Sequence, residues 1–102
     1  MLVSENLHLI PREPGVYFFK NKENQIIYIG KAKVLRNRVR SYFRKLDLLD
    51  SKTQVMVKHI VEVDWLVVRD EVEALLTEAN MIKEHQPRYN VLLKDDKTFP
   101  YV

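Results

Sequence analysis

The sequence predicts one small α/β domain, a three-stranded antiparallel sheet flanked by helices in the order β-β-α-α-β-α. Two runs rich in β-branched and aromatic residues stand four residues apart, helical periodicity follows them, and a tryptophan-bearing run lies between two later helical segments. A chain of 102 residues fits one compact core, so residues 1–102 are expected to form a single domain.

The first two runs predict a β-hairpin. They read GVYFFK (15–20) and QIIYIGK (25–31), and the polar NKEN (21–24) between them is typical of a turn. If the turn contains only those four residues, Tyr17 lies opposite Tyr28 on one face of the sheet. A slip of one residue would break that pair.

A helix is predicted from Val34 to about Leu46, because apolar residues recur there at helical spacing. They are Leu35, Val39, Tyr42, Phe43 and Leu46. On the opposite side, Arg36, Arg40 and Arg44 share the face that water reaches. Arg38 differs from them, since it borders the apolar stripe.

A second helix is predicted over 51–62, where Ser51 followed by Gln54 resembles a capping box. The run VDWLVV (63–68) is rich in β-formers and is the predicted third strand. Asp70, followed by an acid three residues later, is the predicted N-cap of the next helix.

The helix that begins after Asp70 is expected to end before Pro87. Its apolar residues share one stripe, which is predicted to be buried: Val72, Leu75, Leu76, Ala79 and Ile82. The segment RYNVLLKDDKTFPYV that follows is mixed in character. We expect it to be irregular, with a short extended piece.

Composition narrows the classes of function. The net charge of +3 and the pI near 9.2 favour a nucleic-acid partner only mildly. Without cysteine there are no disulfides or thiolate metal sites, which is compatible with the cytosol, and two glycines are too few for a phosphate-cradling loop. Neither a membrane span nor a signal peptide is expected. The FPYV ending suggests a domain of a longer protein.

Basic residues are concentrated between positions 31 and 45, where seven occur without an acidic residue. The excess favours phosphate contact, although a solvated helix face also fits the pattern. The candidate DNA-binding residues are Lys33, Arg36, Arg40 and Arg44. Arg38 is the candidate for a guanidinium inside a site, where its planar fork suits a phosphate.

Tyrosines and one glutamate complete the candidate chemistry. Tyr17, Tyr28 and Tyr42 fit either a site or an amphipathic core. A phenol with a pKa of about 10 is a poor base unless a cation favours the phenolate, and Lys31 is near Tyr28 in sequence. Glu78 flanks the predicted apolar stripe, where a carboxylate needs a cation, donors or a metal as partner. One carboxylate is enough for a magnesium site completed by water and phosphate oxygens.

In order and spacing, these residues resemble the signature of the GIY-YIG nuclease family. The matching parts are GVY (15–17), YIG (28–30), Arg38, Glu78 and the asparagine of YN, Asn90. GKAK after YIG, together with EANMIKEHQPRYNVLLKDDK, narrows the resemblance to the N-terminal catalytic domain of the UvrC branch, over residues 8–102. Val16 stands where the family name has isoleucine, which is a conservative β-branched exchange.

The resemblance implies roles for seven residues: Tyr17, Tyr28, Lys31, Arg38, Tyr42, Glu78 and Asn90. Glu78 would hold Mg²⁺ or Mn²⁺. The general base would be Tyr28, with Lys31 beside it, or else the metal-activated water itself. Arg38 would stabilise charge on the phosphate, Tyr17 and Tyr42 would orient phosphate or water, and Asn90 would support the site by hydrogen bonds.

The resemblance also implies an activity and partners. The domain would be a metal-dependent endodeoxyribonuclease that makes the 3′ incision beside a lesion in bacterial nucleotide excision repair. Its substrate would be damaged double-stranded DNA, and UvrB and the UvrA-loaded complex would bind the full-length protein. The isolated domain is expected to be a cytoplasmic monomer without membrane contact. The alternatives are a stand-alone UvrC-like or homing endonuclease, and a non-catalytic DNA-binding module.

Overall fold

The computed structural model describes residues 7–44 and 46–95. The strands are β1 (Gly15–Lys20), β2 (Ile26–Ala32) and β3 (Glu62–Val67). The helices are α1 (Leu35–Arg44), α2 (Ser51–His59), α3 (Glu71–His85) and α4 (Arg88–Asp95), and short 3₁₀ helices cover Leu7–Leu9 and Leu46–Leu48. The predicted antiparallel sheet flanked by helices is therefore confirmed, with one helix more than expected. None of the helices in the described ranges has the length and hydropathy of a membrane span.

The sheet has the order β2-β1-β3, and both neighbouring pairs are antiparallel. Strand β1 lies in the centre, where both of its faces are covered, and Val16, Tyr17 and Phe19 are buried there. The composition of GVYFFK explains this position, since a strand that is apolar on both sides loses most by exposure.

The predicted pairing of Tyr17 with Tyr28 is wrong. Tyr17 lies opposite Gly30, and Tyr28 lies opposite Phe19. The difference is an even number of residues, so the tyrosines still project from one face of the sheet.

The turn accounts for one residue of this two-residue shift, and an irregularity in the strand pairing accounts for the other. The loop contains five residues rather than four, and the register shifts between Phe19 and Lys20. The side-chain oxygen of Asn21 accepts hydrogen bonds from the backbone N–H groups of Glu23 and Gln25, each at 3.0 Å. Asn24 adopts the left-handed conformation, with φ of 63°. An asparagine-centred turn of this kind takes one residue more than the predicted loop.

Helices α1 and α2 cover one face of the sheet and enclose the core. The stripe predicted on α1 is confirmed for Leu35, Val39 and Tyr42, which are buried, and for Phe43, which packs against the same cluster. The side chain of Leu46 lies outside the described part. On α2 and beside it, the core continues with Met56, Val57 and Ile60.

Helix α2 begins and ends differently from the prediction. Asp50, not Ser51, is the N-cap, because its carboxylate accepts a hydrogen bond of 2.8 Å from the N–H of Thr53. The Gln54 amide donates to the Leu49 carbonyl instead of closing a capping box. The helix stops at His59, and the residues assigned to its end lead into β3.

The predicted N-cap of α3 is confirmed. Asp70 accepts a hydrogen bond of 2.9 Å from the N–H of Glu73. The helix ends before Pro87, through Gln86 in the left-handed conformation. The following segment was expected to be irregular, but Arg88–Asp95 is helical. Pro87 directly before the first residue favours a new helix start, and residues 96–102 of that segment lie outside the described ranges.

The buried side of α3 is not the predicted stripe. Val72, Leu75 and Leu76 are 66%, 52% and 60% exposed, and Ala79 is exposed as well; of the predicted stripe, only Ile82 is partly covered. The residues of α3 that are buried or partly buried lie on a different side of the helix. They are Ala74, Thr77, Glu78, Met81 and Ile82. Ala74 is small enough for α3 to approach the sheet closely. The helix is thus oriented by its contact with β1 and β2 rather than by its most apolar side.

Candidate active site

Three tyrosines meet on the face of the sheet covered by α1. Tyr17 comes from β1, Tyr28 from β2 and Tyr42 from α1, and their ring centroids lie 6.0–6.4 Å apart. The hydroxyl groups of Tyr17 and Tyr42 are hydrogen-bonded at 2.9 Å. Phe19 fills the space between them, 5.1 Å from both of those rings. The predicted tyrosine residues of the site are therefore neighbours in space.

Gly30 makes room for this cluster. A Cβ atom at Gly30 would lie 2.3 Å from both Cζ and Oη of Tyr17. The backbone of Gly30 does not have a positive φ, so the missing side chain matters for space and not for conformation. The Tyr17 ring lies across the strand where every other residue would place a side chain.

Arg38 lies at the edge of the cluster. Its guanidinium carbon is 5.3 Å from the centroid of the Tyr42 ring, one helical turn further along α1. Its positive charge also acts on Tyr17 and Tyr28, where it works to lower the pKa. The residue set apart from the other arginines by its phase on the helix is thus the one beside the tyrosines.

Burial governs the acid–base character of the tyrosines. It raises the pKa of Tyr28 well above its ordinary value, and the neighbouring Tyr42 raises it further. Burial likewise raises the pKa of Tyr17, with added contributions from Tyr42 and Tyr28. The opposing effect of Arg38 is smaller in both cases. The hydroxyls of Tyr17 and Tyr28 are therefore neutral at physiological pH and act as hydrogen-bonding groups.

Glu78 approaches the cluster from α3. It is half-buried on the side that faces the protein, and its charge contributes to the raised pKa of Tyr28. Between residues 7 and 95, leaving out residue 45, no group of three or more His, Cys, Asp or Glu side chains could hold a metal. A single hard carboxylate oxygen beside phenol oxygens fits Mg²⁺, which keeps several waters, and does not fit a structural zinc site.

Asn90 holds β2 from its outer edge. Its Oδ1 accepts a hydrogen bond from the N–H of Ile29, and its Nδ2 donates to the carbonyl of the same residue, both at 2.8 Å. Ile29 lies between Tyr28 and Gly30. Asn90 therefore fixes the backbone on which the tyrosine stands, and its supporting role in the site stays a prediction.

The structure does not bring Lys31 to the tyrosines. Residues 28 to 31 pair regularly with β1, so the side chains of Tyr28 and Lys31 leave opposite faces of the strand. Lys31 lines a groove of about 470 Å³ together with Glu71, Val72 and Leu75 of α3. Its catalytic role stays a prediction without support from this arrangement.

The candidate DNA-binding residues occupy different surroundings. The Lys33 ammonium lies 3.5 Å from the carboxylate of Glu71. The Nε of Arg36 donates a hydrogen bond of 2.7 Å to the carbonyl of Ile10, which ties the N-terminal segment to α1. Arg40 and Arg44 line a shallow groove of about 340 Å³ on the outside of α1. Only these two keep the free helix face predicted for the arginines.

Known proteins with a similar sequence and fold identify the family of this chain. The family model described as the UvrC-like GIY-YIG domain matches residues 13–91, well over half of the chain. The chain belongs to the UvrC-like GIY-YIG domain family.

Relatives of this UvrC-like domain are much longer. The UvrABC system protein C of Cyanothece sp. is 53% identical over 100 residues, and that of Pelodictyon phaeoclathratiforme is 57% identical over 98 residues. These matches cover 98% and 96% of the chain but only 16% of each relative. The chain therefore spans about a sixth of the length of the curated relatives it matches.

Solved structures resemble the UvrC-like domain as a whole. The GIY-YIG N-terminal endonuclease domain of UvrC from Thermotoga maritima, bound to its catalytic divalent cation, magnesium, is 44% identical with a TM-score of 0.75. The match covers 85% of this chain and 93% of that chain. A point mutant of the same domain, also bound to its catalytic divalent cation, is 45% identical with a TM-score of 0.74, over 85% of this chain and 92% of that chain.

One residue that shapes the site of this UvrC-like domain was missed in the sequence. Phe19 packs among the tyrosines, and its position two residues after Tyr17 was the available signal, since both side chains leave the same face of β1.

Proposed function

We propose that this UvrC-like GIY-YIG domain is a divalent-metal-dependent DNA endonuclease that makes the 3′ incision beside a lesion in bacterial nucleotide excision repair. The observation that carries the proposal is the convergence of Glu78, Arg38 and the tyrosine cluster from four different elements, β1, β2, α1 and α3. A carboxylate, a guanidinium and several hydroxyl groups around one half-buried surface are suited to hydrolysis of a phosphodiester.

Glu78 would hold the cation, Mg²⁺ or Mn²⁺, with water and phosphate oxygens as the remaining ligands. When bound, such a cation neutralises negative charge on the phosphate and on the leaving oxygen. The half-buried position of Glu78 suits this role, because a carboxylate that is partly removed from water gains more from a cation than an exposed one.

The other side chains act on the phosphate and the attacking water. Water attacks phosphorus while the bond to the leaving oxygen breaks, and Arg38 stabilises the charge that develops on the phosphate oxygens. The hydroxyls of Tyr17 and Tyr42 orient water or phosphate. Tyr28 could accept the proton only as a phenolate. Because burial raises its pKa, that role requires added positive charge beside Glu78.

A nicking assay on lesion-bearing duplex DNA tests the proposal. We expect Mg²⁺-dependent cutting when the damage-loading partner and the full-length protein are present, and its loss in Glu78→Gln with the fold retained. Glu84→Gln is the matched control, because it removes an exposed carboxylate from the same helix. Full activity of Glu78→Gln would refute the metal assignment.

The same assay separates the alternatives. Cutting that needs neither metal nor lesion would favour a different GIY-YIG endonuclease. Binding without cutting, even in the full-length context, would favour a non-catalytic DNA-binding module. Lesion loading is assigned to the rest of the longer protein, so an inactive isolated domain alone does not decide between them.

The partners belong to the longer protein. The name UvrABC system protein C, carried by the relatives, supports a place in the UvrABC system. We propose damaged double-stranded DNA as the substrate, with UvrB and the UvrA-loaded complex as partners of the full-length protein in the bacterial cytoplasm. The domain itself is proposed to be a monomer. Co-purification of UvrB with the full-length protein, but not with residues 1–102, is the expected result.

A further inference from the structure

A second groove lies at the end of the sheet that carries the β1–β2 turn. The turn residues, the last turn of α2 and the junction between α3 and α4 surround an open space of about 1010 Å³. We call it the hairpin groove. Its lining includes Ile26 and Ile27, the residues that directly precede Tyr28 on β2.

The hairpin groove is basic. Lys22, Lys58 and Arg88 line it together with two histidines, whereas Glu23 is the single acidic residue among the described groove residues. The three cations are exposed, and within the described residues no ion pair is formed by them. Lys20 and Lys33, by contrast, are paired: their ammonium groups lie 2.7 Å from Asp64 and 3.5 Å from Glu71.

Helix ends explain only part of this charge. Lys58 lies in the last turn of α2, where a cation complements the partial negative charge of the helix end. Lys22 lies in the turn, on no helix, and Arg88 is the first residue of α4, where the helix end is positive and a cation is unfavourable. These two charges therefore add to the positive potential of the groove without stabilising a helix end.

The position of the groove points to its ligand. At about 3.3 Å per residue, Lys22 and Tyr28 lie within about 20 Å of each other. Duplex DNA carries one charge per about 1.7 Å of its axis, so a span of that length holds roughly a dozen phosphate charges. An open groove also suits a long polyanion better than a small molecule, which needs a more enclosing pocket.

We propose that the hairpin groove binds backbone phosphates of the DNA that flanks the cleaved bond. Lys22 on the β1–β2 turn and Arg88 on α4 contact them, and β2 connects this contact to the tyrosine cluster. The inference rests on the proposed function for the identity of the ligand and extends it by a binding surface outside α1.

The test is DNA binding by Lys22→Gln/Arg88→Gln, compared with Arg12→Gln/Arg69→Gln. Both double variants remove two exposed positive charges, but Arg12 and Arg69 do not line the groove. Anisotropy of a short fluorescein-labelled duplex is measured in EDTA over about 50 to 200 mM salt. Each lost phosphate contact lowers the slope of log affinity against log salt by about one, so the groove variant is expected to lose about two and the control none.

An unchanged slope in the groove variant, or an equal fall in the control, would overturn the inference. Thermal unfolding of both variants confirms that the fold is intact. Because binding is measured without metal, it is independent of cleavage. If the groove variant loses slope as expected but the full-length wild type with its damage-loading partner shows no Mg²⁺-dependent nicking, the proposed function is refuted and the groove is kept. Nicking with an unchanged slope would refute the groove alone.

Discussion

Replacing Gly30 with alanine places a methyl group where the Tyr17 ring lies. The new Cβ would stand 2.3 Å from Cζ and Oη of that ring, far inside the contact distance of two carbon atoms. Tyr17 is only 1% exposed and is held by its neighbours, so the ring has little space into which it could move.

The cost can be worked from two parts. Overpacking of a dense core costs about 1–3 kcal/mol. If the ring moves away, its hydrogen bond with Tyr42 is lost as well, which adds about 1 kcal/mol. Alanine also stiffens the unfolded chain, which returns about 0.4–1 kcal/mol. We therefore expect Gly30→Ala to lower the free energy of unfolding by about 1–3 kcal/mol, or roughly 5–20 °C in Tm for a domain of this size.

The assay is urea and thermal unfolding of four proteins: wild type, Gly30→Ala, Tyr17→Leu and the double variant. If the contact with the ring is the cause, Gly30→Ala costs less in the Tyr17→Leu background, because leucine does not extend across β2. The difference between the two costs measures the coupling of the residues. Equal costs in both backgrounds, or a Gly30→Ala protein as stable as the wild type, would refute the reasoning.

Three further changes test the site and the scaffold. Arg38→Ala should lower Mg²⁺-dependent nicking by about 10²–10³-fold with an unchanged Tm, because the guanidinium acts on charge in the transition state; a lost fold would contradict this. Asn90→Ala should speed hydrogen exchange of the Ile29 amide, which loses its acceptor, and unchanged exchange would show that the bond is not formed. The hydrogen bond from the Thr53 N–H lowers the pKa of the Asp50 carboxyl, so this carboxylate stabilises the fold above its ordinary pKa and ceases to do so as the pH falls through the lowered value. Urea titrations should therefore show that Asp50→Asn, a cap of similar quality, loses less stability than the wild type below about pH 4; parallel curves would refute the assignment.

Much of the fold could be predicted because local pattern and tertiary structure agree. The run GVYFFK is apolar on both faces, and it occupies the central strand of the three-stranded sheet. The stripe of α1 is buried as its spacing required, and Asp70 caps α3 as its position suggested. In each case one short segment contains the whole signal.

The pairing register and the orientation of α3 depend on information that no short window contains. Asn21 arranges the turn through its own side chain, and the loop grows by one residue. Val72, Leu75 and Leu76 form the more apolar side of α3, but the side with Ala74 and Glu78 packs against the sheet. The spacing of apolar residues therefore predicted the helix correctly, but it predicted the wrong side of the helix to be buried.

The candidate site shows the same division. The types and order of its residues were recognisable from the family signature, and the grouping of Tyr17, Tyr28 and Tyr42 follows from it. The face of β2 from which Lys31 projects could have been predicted by counting, since residues three apart in a strand face opposite ways. The proximity of Glu78 to Tyr28 could not have been predicted in this way, because it depends on how α3 packs on the sheet.

The two hydrogen bonds between the Asn90 side chain and the Ile29 backbone also have a consequence for solubility. Strand β2 is at the edge of the sheet, and edge strands offer unpaired N–H and C=O groups to other chains. At Ile29 both groups are already taken by a side-chain amide, which imitates the peptide group of a neighbouring strand. The residue that steadies the tyrosine thereby closes part of the sheet edge, so that its removal would expose a place where two copies of the domain could join strand to strand.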